Sequence, residues 1–300
     1  MQTIGQLRAA RRQARHLAEA AALSAVLSAF GALPVDRASA LGGWLGRKIG
    51  PRLGISRRAL KNLHRAMPAN SEAENRRILH GMWDNLGRSV AELPHLDTIS
   101  AVGSERVEIV NGEAFAALRD ADRPVILFGG HFANWEVGSS TIHRLLGPSL
   151  LSVFRASNNP WADRVLRRRM QARRAVAKGA DGGRDVLRHL RRGGHIGMLV
   201  DQKMNDGIAV PFFGHDAMTA PAIARLALRF GCPIVPVRIE RLNGTRFRFT
   251  MLPPLKLTDT RDTADNVRAT LMRVTAVIEE WIVARPEQWL WIHRRWPREA

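Results

Sequence analysis

Val125-Ile-Leu-Phe-Gly-Gly-His131-Phe-Ala-Asn-Trp-Glu136 carries an apolar run into a diglycine, a histidine and the start of a helical pattern. A short apolar run bounded by turn residues reads as a buried strand, and the same strand-then-helix alternation recurs on both sides of it. Arg106–Val110, Pro124–Phe128, Leu150–Phe154, Ile196–Val200 and Ile234–Ile239 read as strands. Gly112–Arg119, Trp161–Arg174, Gly183–Arg191 and Thr219–Phe230 read as helices between them. The pattern predicts an α/β fold with a mostly parallel central sheet flanked by helices. Arg246–Met251 is expected as an antiparallel edge partner of Ile234–Ile239, and a last helix over Ala264–Arg285 ends at Pro286.

Upstream, Arg8, Arg11, Arg12 and Arg15 precede an apolar run from Leu17 to Leu33, and Pro34 opens a second helical stretch through Trp44 to Ile49. Residues 1–50 therefore read as an N-terminal, membrane-associated helical hairpin that anchors in or on a bilayer; a cleaved signal peptide or a core helix fits the same run. Ser71-Glu-Ala-Glu74 is a capping box that starts a helix toward Leu93. Neither a linker nor a repeat follows, so residues 51–300 are expected to form one α/β domain.

The 46 Lys and Arg residues against 27 Asp and Glu leave a formal charge of +19, and only five of the cations are Lys. Such a surface expects a polyanion: nucleic acid, anionic membrane, or an acidic or phosphorylated partner. A single cysteine, Cys232, excludes an internal disulfide and any multi-cysteine metal site. No helix-turn-helix or zinc-finger signature supports nucleic acid, which leaves the apolar N-terminus without a role. Arginine clusters at 164–174, at 184–192, and at 294–298 beside Trp289, Trp291 and Trp296 suit a membrane interface.

In open α/β sheets ligands bind at the carboxyl ends of strands, where His131 would sit. Residues five apart on one helix point about 140° apart, so His131 must lie in the turn before the helix for Glu136 to face back to it. That geometry supplies a base and an orienting carboxylate. The bland alternative is a capping histidine and a solvated glutamate. No histidine pair at helical spacing suggests a metal, and the other nine histidines read as surface or core.

The His131–Glu136 spacing, within Gly-Gly-His-Phe-Ala-Asn-Trp-Glu, resembles the HxxxxD/E motif of glycerolipid-type acyltransferases. Its flanks resemble more narrowly the late acyltransferases of lipid A biosynthesis, the lauroyl/myristoyl type. Three further blocks are similar to that family: Val153-Phe-Arg155-Ala-Ser-Asn-Asn159-Pro160; Asp201-Gln202 with Val210-Pro-Phe-Phe213-Gly214 and Ala217-Met-Thr219; and Pro286 to Trp296. The resemblance implies transfer of a fatty acyl chain from an acidic acyl carrier protein to a hydroxyl of a phosphorylated glycolipid at the cytoplasmic face of the inner membrane. It implies no covalent acyl-enzyme and no cofactor beyond the acyl thioester co-substrate. His131 would be the general base and Glu136 its partner, although many relatives carry aspartate there. Transfer to another glycolipid or aminolipid, from acyl-CoA or carrier protein, is the nearest alternative. A non-catalytic basic protein that docks on membrane or nucleic acid is the next.

Beside that resemblance, Arg155 follows a strand and either holds a phosphate or oxyanion or is a surface arginine. Asp201 and Gln202, again at a strand end, are expected to position the acceptor. Phe213 and Gly214 belong to a run that lines an acyl groove or fills the core. Asn159 is carried over from the second block alone, as a substrate-binding residue. Thr219 reads as a helix N-cap whose neighbouring amides face an anion.

Overall fold

The computed structural model describes residues 4–119, 123–169, 174–257 and 263–297. In chain order the elements are α1 (Ile4–Gly31), α2 (Val35–Ile49), α3 (Ser56–Ala66), α4 (Glu72–Glu92), α5 (Leu96–Ile99), β1 (Val107–Val110), α6 (Gly112–Arg119), β2 (Ile126–Gly129), α7 (Trp135–Leu146), β3 (Leu150–Phe154) and α8 (Pro160–Arg169). There follow β4 (Ala175–Ala177), α9 (Ala180–Arg191), β5 (His195–Leu199), β6 (Lys203–Phe212), β7 (His215–Thr219), α10 (Ala222–Phe230), β8 (Ile234–Asn243), β9 (Arg246–Met251) and α11 (Ala264–Ala284).

A seven-stranded sheet runs β1-β9-β8-β2-β5-β3-β4, and every neighbouring pair except β8–β9 is parallel. The α/β architecture with a mostly parallel sheet is the one the sequence alternation predicts. The strand β2 lies at its centre with all four residues buried, as a strand covered on both faces requires. The edge differs from expectation. β9 pairs antiparallel with β8 but also parallel with β1, so β1 and β4 are the outer strands. Residues 203–219, not assigned to strands from sequence, form a separate two-stranded hairpin of β6 and β7. Its turn is Phe213-Gly214, with φ of 50° and 72°, a pair of left-handed residues that suits the twist of a two-residue hairpin. The helix expected from Thr219 begins instead at Ala222, and no side chain caps it.

The capping box forms as read: Ser71 Oγ accepts from Glu74 N at 3.3 Å and Glu74 Oε2 accepts from Ser71 N at 2.7 Å. The helix it starts, α4, packs backbone to backbone against α2. A β-carbon built on Gly42 would stand 2.4 Å from Gly87 O, and one on Gly46 would stand 2.0 Å from Trp83 O. Only glycine permits backbones that near. Among the described residues no helix is long and apolar enough to cross a membrane.

The tryptophans of the terminal block are core residues and not an interface belt. Trp289 and Trp291 are fully buried, Trp296 nearly so, and Arg295 is buried among them with its guanidinium over the Phe212 ring. In the second arginine cluster, Arg184 and Arg188 are each paired within α9, with Asp181 and Asp185. The first cluster falls partly at 170–173, and Arg298 also lies outside the described residues.

Candidate active site

The parallel pairing of β2 with β5 builds the site. Gly129 is in register with Leu199, and the chains continue side by side, with Val200 N donating to Gly129 O at 3.1 Å. Two residues further along each strand stand His131 and Asp201. His131 Nδ1 is 2.7 Å from Asp201 Oδ1, and His131 N donates to Asp201 Oδ2 at 2.7 Å. The indole of Trp289 donates to the same Oδ2 at 2.8 Å. Three donors on one carboxylate select its ionised form.

The Asp201 side chain has no solvent exposure, whereas 13% of the His131 side chain remains open. Burial by itself would raise the Asp201 carboxyl, but the charge and hydrogen bonds of His131, with His293 behind, prevail and hold it well below the usual carboxylate range. With an ionised acceptor at Nδ1, the imidazole keeps its proton there, and Nε2 presents the lone pair. Gln202 Nε2 lies 3.1 Å from that atom, where an incoming hydroxyl would have to bind.

The carboxylate bonded to the His131 ring is Asp201, a place the sequence reading gave to Glu136. Glu136 lies in the first turn of α7, and its Oε1 accepts from Trp135 Nε1 at 3.0 Å. Asn134 caps α7 by accepting from Glu136 N and Val137 N, which places Glu136 in the first turn of the helix. The left-handed residue of the turn is Ala133, with φ of 46°, and neither glycine of the pair has positive φ. Gly130 is needed for proximity: a β-carbon there would meet the Phe132 ring at 2.7 Å and Asp201 Oδ2 at 3.2 Å.

His293 reads from sequence as an ordinary surface or core residue, yet its ring stands 4.9 Å from that of His131, edge to face. Burial, reinforced by His131, Arg155 and Arg58, pushes it down to about 4 against the pull of Asp201, so it is neutral near pH 7. Its position next to Trp289 and Trp291 in one terminal block is the signal that points to it. Trp135 flanks His131 on another side at 5.1 Å.

The remaining expected residues divide. Arg155 follows β3 at the same carboxyl edge, and its charge bears on His293 and Lys178. Asn159 engages both ends of its amide within the chain: Oδ1 accepts from Trp161 N and Ala162 N, and Nδ2 donates to His16 O and Glu19 Oε2. Phe213 and Gly214 are the hairpin turn, with Phe213 N donating to Glu279 Oε1 at 2.9 Å. Thr219 ends β7, accepting from Arg295 Nη2 at 2.9 Å and donating to Ala217 O, so its side chain caps no helix. Burial pushes the Cys232 thiol up to about 11, which leaves it protonated and a poor nucleophile. Among the described residues no three His, Cys, Asp or Glu side chains gather to hold a metal ion.

A histidine–carboxylate pair at the carboxyl edge of a parallel sheet suits proton abstraction from a hydroxyl, and comparison with known proteins narrows the class. A family model described as bacterial lipid A biosynthesis acyltransferase matches residues 9–298. The chain belongs to that acyltransferase family. It is 25% identical over 245 residues to the lipid A biosynthesis lauroyltransferase of Escherichia coli (strain K12), covering 78% of this chain and 76% of the relative. It is 28% identical over 260 residues to lipid A biosynthesis acyltransferase 1 of Shigella flexneri, covering 83% and 77%. It is 25% identical over 266 residues to the lipid A biosynthesis palmitoleoyltransferase of Escherichia coli (strain K12), covering 84% and 83%.

Proposed function

We propose that this chain moves a fatty acyl group from an acyl carrier protein thioester onto a hydroxyl of a lipid A precursor. His131 acts as general base, and Asp201 orients and stabilises its ring. The observation that carries the reading is the 2.7 Å bond from His131 Nδ1 to a buried, ionised Asp201, which leaves the lone pair on Nε2. The acceptor hydroxyl displaces the Gln202 amide from Nε2 and gives up its proton as its oxygen attacks the thioester carbonyl. The tetrahedral intermediate expels the thiolate, and the imidazolium returns the proton to sulfur, so no acyl-enzyme forms. Asp201 supports the imidazolium in between without taking its proton. Arg155, at the neighbouring strand end, is the cation placed for the developing oxyanion or an acceptor phosphate.

The N-terminal helices supply the membrane contact. Leu17, Val26, Leu41, Trp44, Ile49 and Leu53 are large apolar side chains left exposed on α1, α2 and the segment just after them. Arg37, Arg47 and Lys48 lie on or beside the same helix as Trp44, as an anionic surface favours. The enzyme is accordingly assigned to the cytoplasmic face of the inner membrane as a peripheral or monotopic protein.

Purified protein supplied with acyl carrier protein thioester and a lipid A precursor tests the reading, with product followed by mass spectrometry. Acyl transfer is expected for the native chain and is expected to be lost in His131→Ala. Undiminished transfer by His131→Ala would remove the base assignment.

A further inference from the structure

Behind the His131 turn lies a buried polar network that no step of the proposed reaction uses. Glu92, the last residue of α4, is fully buried and forms a two-pronged ion pair with Arg241 of β8, at 2.6 Å from Nη1 to Oε1 and 3.0 Å from Nη2 to Oε2. Glu92 also accepts from Ser39 Oγ of α2 at 2.6 Å and from Asn134 Nδ2 at 2.8 Å. Asn134 is the cap of α7, three residues after His131.

Arg241 reaches Ala133 by three routes. Its Nε donates to Asn85 Oδ1 and its Nη2 to Ser89 Oγ, and Asn85 and Ser89 both donate to the Ala133 carbonyl, at 2.9 and 3.0 Å. Its backbone N and O pair with the Gln288 side chain at 2.9 and 2.8 Å, and Gln288 O accepts from Ala133 N at 2.9 Å. Ala133 is the residue with positive φ, a conformation an L side chain rarely adopts and one that persists only where surroundings impose it. A buried ion pair is a poor source of stability, since an apolar pair of like volume often does as well or better. What this pair supplies is geometry: it holds both peptide groups of the strained turn and the cap that follows.

We propose that Glu92 and Arg241 are positioning residues for His131. They lock the Ala133 turn so that the ring meets Asp201 and Nε2 faces the acceptor. The proposal rests on the reading of His131 as base. Ser39 extends the same network to α2, and Arg88 Nη1 donates to Ser39 at 3.3 Å.

The test uses the full chain with Glu92→Leu and Arg241→Leu combined, which removes both charges together, and then adds Ala133→Gly. The double variant is expected to fold with a lowered thermal midpoint, since Ser39, Asn85, Ser89 and Asn134 each lose a buried partner. Its kcat should fall about tenfold to a hundredfold with KM nearly unchanged, the cost of a misplaced catalytic group. The Nδ1–H proton resonance of His131 should broaden or shift as the Asp201 bond loosens. Ala133→Gly, which holds the left-handed turn without imposed strain, should recover part of both changes. A folded double variant with native kcat and a native Nδ1–H resonance would overturn the proposal. So would a loss of kcat that only tracks the unfolded fraction and is not recovered by Ala133→Gly. If the double variant does not fold, Glu92→Gln replaces it, with the same resonance change expected and native behaviour again decisive against. The resonance reports positioning without substrate, so failure of the base reading, seen as activity in His131→Ala, remains distinguishable.

Discussion

His131 and Asp201 stand at equivalent places on neighbouring parallel strands, each two residues past the register pair Gly129 and Leu199, with 2.7 Å between Nδ1 and Oδ1. A register that brings two strand ends level thereby makes a bonded histidine–carboxylate pair from residues seventy positions apart.

Asp201→Asn keeps the shape of that partner but removes its charge, and an amide that donates to Nδ1 selects the tautomer with its proton on Nε2. The base atom is then already occupied, and kcat is expected to fall by about 10²–10⁴ with a small change in KM. Steady-state kinetics beside Glu136→Gln checks it, because the aspartate change should cost more. The reverse order would return the orienting role to Glu136.

The buried His293 predicts a pH effect on stability. Its folded value of about 4 lies below the ordinary histidine value of about 6.5, so below pH 6.5 the unfolded chain takes up a proton that the folded chain refuses. Stability should therefore decline as pH falls from about 6.5 to 4 and stop declining from this source below that. Asp201, held low, stays ionised throughout this window. Thermal midpoints measured across the range should fall less steeply in His293→Gln than in the native chain.

Gly46→Ala is expected to destabilise by about 1–3 kcal/mol or more, because the added carbon would meet the backbone oxygen of Trp83 and not a movable side chain. Gly54→Ala, whose β-carbon finds nothing nearer than 3.8 Å, should be within about 0.5 kcal/mol of native. Denaturant unfolding of the pair distinguishes a tight seam from a loose one.

Trp44→Glu with Ile49→Glu removes two exposed apolar side chains and adds two negative charges. At about 2 kcal/mol for each apolar side chain withdrawn from the bilayer, partition onto phosphatidylglycerol vesicles should fall by tenfold or more. Co-sedimentation also separates the forces involved. Binding that survives 1 M salt, where the screening length is about 3 Å, belongs to the apolar helices and not to the charge of +19.

The alternation of strands and helices, the capping box at Ser71 and the placement of His131 were legible because each depends on local pattern. Asp201 was visible as a strand-end residue, but its partnership needed the knowledge that β5 lies beside β2, which is a fact of strand order and not of spacing. Spacing alone pointed to Glu136, but the carboxylate on His131 Nδ1 comes from the end of the neighbouring strand, which spacing does not reveal. The terminal tryptophans misled for a related reason. Arginine beside tryptophan describes a membrane belt and a packed core equally well until burial is known, and Arg295 over Phe212 belongs to the core. The hairpin of β6 and β7 escaped because its first half, Lys203-Met-Asn-Asp-Gly, is polar and exposed along much of its length, unlike the buried strands of the main sheet.

The glycine seam of α2 with α4 leaves no slack between the two helices. Since α4 also carries Asn85, Ser89 and Glu92, which grip the His131 turn, α2 and that turn share one mount. Whatever surface α2 rests on is thereby set at a constant height and tilt from Nε2. On the proposed reading, the reach demanded of an acceptor headgroup then becomes a fixed dimension of the protein, one that a substrate has to match in length.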